Sequence, residues 1–238
     1  MSLSVILPAI AVIGMARSAE VLCGIDVLER DGLAQLRGKK VALITNHTGR
    51  TRDGRFTSDV LSTAPGMTLV CLFAPEHGLR GLVDEAVKDG KDEKTGLPAY
   101  SLYNPGQGPD RYRPKKEQLK GVDTIVFDIQ DIGTRFYTYV GTLGYAMEAA
   151  ARDGIEVVVL DRPNPIRALE PDGPVADEQH LGLTAFHTIP LVHGMTAGEL
   201  ANLFNRERKI GAKVSVVKCE GWTRGQWWEE TGLMWVNP

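Results

Sequence analysis

Five short runs of apolar, largely β-branched residues are spread along the chain, at residues 41–45, 68–73, 124–128, 156–160 and 214–218. Each run is continuous and lacks the alternation of a strand that keeps one face in water. Such runs suit strands covered on both faces. Helical patterns lie between several of them. Residues 57–63 form a short one, stopped by Pro65 and Gly66. Residues 141–153 are rich in Ala and put Leu143, Met147 and Ala150 on one stripe. Residues 196–206 open with the capping box Thr196-Ala197-Gly198-Glu199 and carry Leu200, Leu203 and Phe204 at helical spacing. Strands alternating with helices predict an α/β fold with a mostly parallel sheet, helices on both faces and right-handed crossovers.

Length and charge narrow the function. At 238 residues the chain buries enough surface to need neither a disulfide nor a structural metal. A net charge of −3 argues against a nucleic-acid binder. Cys23, Cys71 and Cys219 are far apart and form no C-x-x-C pair, so they are expected to be small buried hydrophobes. Residues 5–16 make an apolar run of signal-peptide length, and Ala16 and Ser18 suit a cut after Ser18. Met1 to Ser4 lacks the usual basic residue, and Pro8 interrupts the run. Residues 1–18 are therefore expected to be a leader and residues 19–238 the folded domain. Export to the periplasm or medium follows if the leader is a signal peptide, and a cytoplasmic location if it is not. No other stretch is long and apolar enough to insert stably in a membrane.

In an open parallel sheet, ligands bind beyond the carboxyl ends of the strands. After the first run come Asn46, His47 and Thr48; after the second, Glu76 and His77. The third leads into Asp128, Gln130, Asp131 and Arg135, and the fourth into Asp161, Arg162 and Asn164. His193 and the pair Tyr137 and Tyr139 lie further along the chain. Four strand ends thus bring acids, amides, His and Arg to one rim. Each group has a plainer role open to it. Asp128 and Asp161 are either reactive acids or structural partners of Arg135 and Arg162. Asn46 either binds or folds an Asx turn. His193 is either a site residue or a core histidine. Glu76 follows a buried strand directly, where an ionised carboxylate is costly unless paired or used. Two longer non-periodic stretches, residues 76–120 and 161–196, are expected to be functional loops, with residues 97–103 a possible edge strand.

Together these blocks resemble a known family. They include Leu43-Ile44-Thr45-Asn46-His47-Thr48-Gly49, Pro75-Glu76-His77-Gly78-Leu79-Arg80-Gly81, Asp128-Ile129-Gln130-Asp131-Ile132-Gly133-Thr134-Arg135 and Leu160-Asp161-Arg162-Pro163-Asn164-Pro165. His193-Gly194-Met195-Thr196 and Glu220-Gly221-Trp222 complete the set. The chain is similar to the DUF1343 family of exo-β-N-acetylmuramidases. The resemblance implies a Rossmann-like domain, followed in the family by a smaller C-terminal domain, which is expected to be missing here. It also implies release of N-acetylmuramic acid from peptidoglycan fragments, with saccharides or muropeptides as partners and no cofactor or metal.

On that resemblance Glu76 is the expected general acid/base, and His77 shares or orients its proton. Asp128 and Asp131 are candidates for the second catalytic group, unless the sugar's own acetamide takes that part. Arg135 or Arg162 would hold the lactyl carboxylate. Tyr137 and Tyr139 either stack on a sugar or pack as aromatics. Asn46, His47, Gln130, Asp161, Asn164 and His193 complete the expected binding set. A dinucleotide enzyme lacks support, because no G-x-G-x-x-G follows the first strand. A metal-dependent hydrolase built on His47, His77, Asp128 and Asp161, or a non-catalytic peptidoglycan-binding module, are the rival readings. All four tryptophans fall in the last seventeen residues. Trp222 is expected in the core, and Trp227, Trp228 or Trp235 at a seam with the family's second domain.

Overall fold

The computed structural model describes residues 20–75, 79, 89–103 and 110–238. The leader at residues 1–18 lies outside the described residues, as do Glu76 and His77. Nine strands are present among those described: β1 Lys40–Thr45, β2 Thr68–Ala74, β3 Gly90–Lys91, β4 Pro98–Ser101, β5 Thr124–Asp128, β6 Glu156–Leu160, β7 Asp172–Val175, β8 Pro190–Val192 and β9 Lys213–Val217. The helices are α1 Gly24–Arg30, α2 Thr57–Ser62, α3 Thr138–Asp153, α4 Ala197–Glu207 and α5 Trp228–Thr231.

Seven strands form one sheet in the order β3-β4-β2-β1-β5-β6-β9. Every pairing is parallel except that of β3 with β4. Counted along the chain, the six parallel strands run 3-2-1-4-5-6. This is the doubly wound Rossmann order, whose two halves part between β1 and β5.

The continuous apolar runs follow from two covered faces. Val41 and Leu43 of β1 point into a layer with Ile25 and Leu28 of α1 and Leu61 of α2. Ala42 and Ile44 point the other way, into a layer with Leu143 and Met147 of α3 and Leu200 and Phe204 of α4. In a strand, successive side chains leave on opposite faces, so burial on both sides requires every position to be apolar. All five residues of β5 are buried.

Three elements differ from expectation. Residues 97–103 hold β4, but β4 is not an edge, since β3 pairs along its outer side. Two residues of β3 are too few to show a period. The stretch 161–196 contains β7 and β8, an antiparallel pair. β7 is exposed throughout, so no apolar pattern marks it. Among the tryptophans it is Trp228 that is buried, at 8%, while Trp222 is only partly covered and Trp227 and Trp235 stay exposed. Trp228 is held in place by its backbone N–H, which donates to the Pro165 carbonyl at 3.1 Å, and by Trp235 packed edge-on at 5.2 Å. The three cysteines are free; Cys23 and Cys71 are buried. Among the described residues no helix is long and apolar enough to cross a membrane.

Candidate active site

The sheet order opens a crevice at the carboxyl ends of β1 and β5. The segment after β1 carries Asn46, His47 and Thr48, and the segment after β5 carries Gln130 and Asp131. Arg162 reaches the same place from the end of β6.

Asp128 closes β5 and is fully buried. Arg162 donates to both its oxygens, Nε to Oδ1 at 2.6 Å and Nη2 to Oδ2 at 2.9 Å. Thr57 of α2 donates a short hydrogen bond to Oδ2. Arg162 is 5% exposed and also donates to the Arg50 carbonyl at 2.8 Å. Burial works against its charge, but Asp128 and the neighbouring acids hold it protonated above its ordinary range. Asp128 thus pairs with Arg162, one of the roles open to it, and both of its oxygens accept hydrogen bonds. Arg162 in turn directs Nε and Nη2 to Asp128 and the Arg50 carbonyl.

Asp161 is also structural in its contacts. It accepts from Thr196 Oγ1 at 2.8 Å and from the Gly198 N–H at 2.9 Å, tying the start of α4 to the end of β6. A Cβ at Gly198 would meet Val216 Cγ1 at 2.5 Å, so only glycine lets the helix approach this closely. Burial pushes the Asp161 carboxyl up, against the pull of its hydrogen bonds. Asn164 spends both ends locally, donating to the Met195 carbonyl and accepting from the Ile166 N–H. Tyr137 and Tyr139 do not lie in a strand. They sit at the cap and first turn of α3, packed edge-on against each other at 5.0 Å, with Tyr139 in the core.

Asp131 is different. Its Oδ2 accepts from the Gly133 N–H at 2.7 Å and from His193 Nε2 at 2.9 Å. Gly133 has φ 86°, the left-handed turn that folds the loop back on the carboxylate. His193 Nδ1 accepts from the Met195 N–H at 3.2 Å, so the ring is the Nε2–H tautomer. The β7–β8 arm delivers this histidine: Leu191 accepts from the Arg135 N–H, and Val192 bridges Thr134. Asp131 Oδ1 is buried and has no partner among the described residues.

Two amides share that condition. Asn46 Oδ1 accepts from the N–H and the hydroxyl of Thr48, at 2.9 and 2.6 Å, and its Nδ2 has no partner. Gln130 Nε2 donates to the carbonyls of Asp131 and Pro163, at 2.7 and 3.0 Å, and its Oε1 has no partner. Thr48 ties the two loops, because its hydroxyl also accepts from the Gln130 N–H at 2.9 Å. Sequence reasoning missed Thr48 and Thr57. Thr48 stands inside the Asn-His-Thr-Gly block and was there to be read; Thr57 carries no signal.

His47 Nε2 meets the Asn237 carbonyl at 2.6 Å, so the end of the chain packs on this rim. Arg135 donates from Nη2 to the Pro174 carbonyl at 3.3 Å, and among the described residues its buried Nε has no partner. A buried polar atom without a partner costs about 1–3 kcal/mol. Unpartnered atoms of Asn46, His47, Gln130, Asp131, Thr134 and Arg135 all follow β1 or β5. Among the described residues no group of His, Cys, Asp and Glu gathers that could hold a metal ion.

Comparison with known proteins agrees on one kind of molecule. Residues 41–238 match the family described as exo-β-N-acetylmuramidase NamZ, N-terminal. The chain is 45% identical over 225 residues to the peptidoglycan β-N-acetylmuramidase NamZ of Bacillus subtilis strain 168, covering 94% of this chain and 53% of that protein. Two crystal structures of DUF1343 family proteins from Bacteroides fragilis NCTC 9343 share the fold. One has a TM-score of 0.85 at 42% identity, covering 92% of this chain and 55% of the other. The second has a TM-score of 0.72 at 32% identity, covering 87% and 54%. The chain thus spans about half the length of the relatives it matches.

Proposed function

Because this chain belongs to the exo-β-N-acetylmuramidase NamZ family, matching its N-terminal domain, we propose that it carries the glycosidase site for peptidoglycan fragments. The reaction is hydrolytic release of N-acetylmuramic acid from their non-reducing ends. The observation that carries this reading is the match over residues 41–238, which takes in the whole β1–β5 crevice and its unpartnered polar groups.

Glu76 is the proposed general acid, protonating the leaving oxygen, with His77 beside it in sequence to share or orient the proton. Both follow β2, the neighbour of β1, by two and three residues. Asp131 is the proposed second group. His193 and the Gly133 N–H fix one oxygen, and the other remains for the positive charge that develops at the anomeric carbon. Arg135, with its Nε unpartnered, is the cation proposed for the lactyl carboxylate. The site of action is outside the cytoplasmic membrane, with residues 1–18 as a leader. Protein recovered from the cell envelope should then begin after Ser18, and an intact Met1 there would remove the leader role.

The test is release of N-acetylmuramic acid from a disaccharide capped by that sugar. Wild-type chain is expected to release it, and Glu76→Gln to lose release while keeping an unchanged thermal melt. Retained turnover in the variant would take Glu76 out of the acid role. Binding without release by the wild type would reduce the chain to a binding module.

A further inference from the structure

Two buried side-chain amides at the crevice are each fixed at one end and unmatched at the other. Asn46 is 1% exposed and Gln130 3%. Thr48 must face the oxygen of Asn46, because its N–H can only donate. Two carbonyls must face the nitrogen of Gln130, because they can only accept. Gln130 cannot flip without losing two hydrogen bonds, and Asn46 cannot flip without setting its own NH2 against the Thr48 N–H. What remains is one oriented donor, Asn46 Nδ2, and one oriented acceptor, Gln130 Oε1. Thr48 locks the two loops together through a single hydroxyl.

One neutral donor and one neutral acceptor, on the two loops that Thr48 joins, match the two polar groups of a secondary amide, whose carbonyl accepts and whose N–H donates. We infer that Asn46 and Gln130 form the subsite for the 2-acetamido group of the sugar, Asn46 Nδ2 donating to the acetyl carbonyl and Gln130 Oε1 accepting from the acetamido N–H. The assignment rests on the function proposed above and names the residues that select its substrate. Leaving either amide unmatched in the bound state is penalised, so a sugar lacking the acetamide is rejected rather than merely held less well.

The experiment titrates the full chain by calorimetry with three monosaccharides that share the 3-O-lactyl group. One is N-acetylmuramic acid. The second carries a 2-O-acetyl ester, which keeps the carbonyl but lacks the N–H. The third carries a plain 2-hydroxyl. N-acetylmuramic acid is expected to bind at least about tenfold tighter than the 2-hydroxyl sugar, with the ester between them. Asn46→Asp keeps the oxygen bonded to Thr48 and replaces the donor by an acceptor. It is expected to bring the acetamido and hydroxyl sugars within about twofold of each other. Equal affinity of the wild type for those two sugars overturns the subsite and leaves the proposed function standing. An ester that binds as tightly as the amide removes Gln130 from it. If no sugar of the three binds, the proposed function falls and the subsite with it. The wild-type series decides the matter even if Asn46→Asp does not fold.

Discussion

The Asp128–Arg162 pair illustrates why an acid at a strand end is ambiguous in a sequence. A buried carboxylate that reacts and one that holds a guanidinium look alike until the partner is placed. The partner here is 34 residues away, and the third member, Thr57, lies 71 residues from Asp128. Asp131 was equally visible, but its role depends on His193, brought in by an arm with no apolar pattern. Asn46 and Gln130 were legible as rim residues. Which end of each amide faces out was not, since that is decided by backbone groups of other segments. Removing one partner of a buried ion pair strands the other charge, so Asp128→Asn is expected to cost about 3–5 kcal/mol in urea denaturation. A loss below about 1 kcal/mol would mean that the pair does not hold the crevice. The cysteines make a second prediction. Burial pushes the thiols of Cys23, Cys71 and Cys219 from an ordinary 9.0 up to about 12. The folded state therefore keeps these protons where the unfolded chain has released them. Their contribution to stability is complete below pH 9 and is lost as pH rises toward 12. The urea midpoint should fall steadily over that range, and a midpoint that rises there would contradict it.

At the scale of elements, the five core strands stood out because both faces are covered and no polar residue can interrupt them. The capping box of α4 was equally plain. In the structure Thr196 Oγ1 accepts from the Glu199 N–H at 3.3 Å, and Glu199 accepts from the Thr196 N–H at 3.0 Å. The same hydroxyl donates to Asp161, so one side chain caps a helix and anchors it to the sheet. Thr196→Ala is expected to cost about 1–2 kcal/mol, the upper part of the range for a lost N-cap. Thr196→Ser keeps the hydroxyl and should recover most of that. Equal stability of the Ala and Ser variants in thermal melts would show that the hydroxyl is not the anchor. What stayed hidden were short elements. α1 has only seven residues, with Ile25 and Leu28 as its main buried apolar contacts, and β7 has no buried residue at all. Such segments are defined by the surfaces they lie on, and periodicity needs more turns than they have.

For the molecule as a whole, the apolar runs predicted the α/β class with a mostly parallel sheet. Strand order was not legible, because nothing local tells β1 that its neighbours are β2 and β5. That order sets how the chain must assemble. The β1–β5 contact joins Lys40 to Asp123, 83 residues away. Closing a loop of that size comes before any pairing rewards it, so folding of this domain is governed by a late, non-local step. Until β5 has been made, β1 and β2 can associate, but β1 keeps one side open with all its hydrogen-bonding groups unpaired. An open, apolar strand side is a template for the wrong partner. The crevice at the centre of the fold therefore cannot close during synthesis until β5 has been made. The interval between residues 45 and 124 is the stretch over which a nascent chain most needs protection from its own copies.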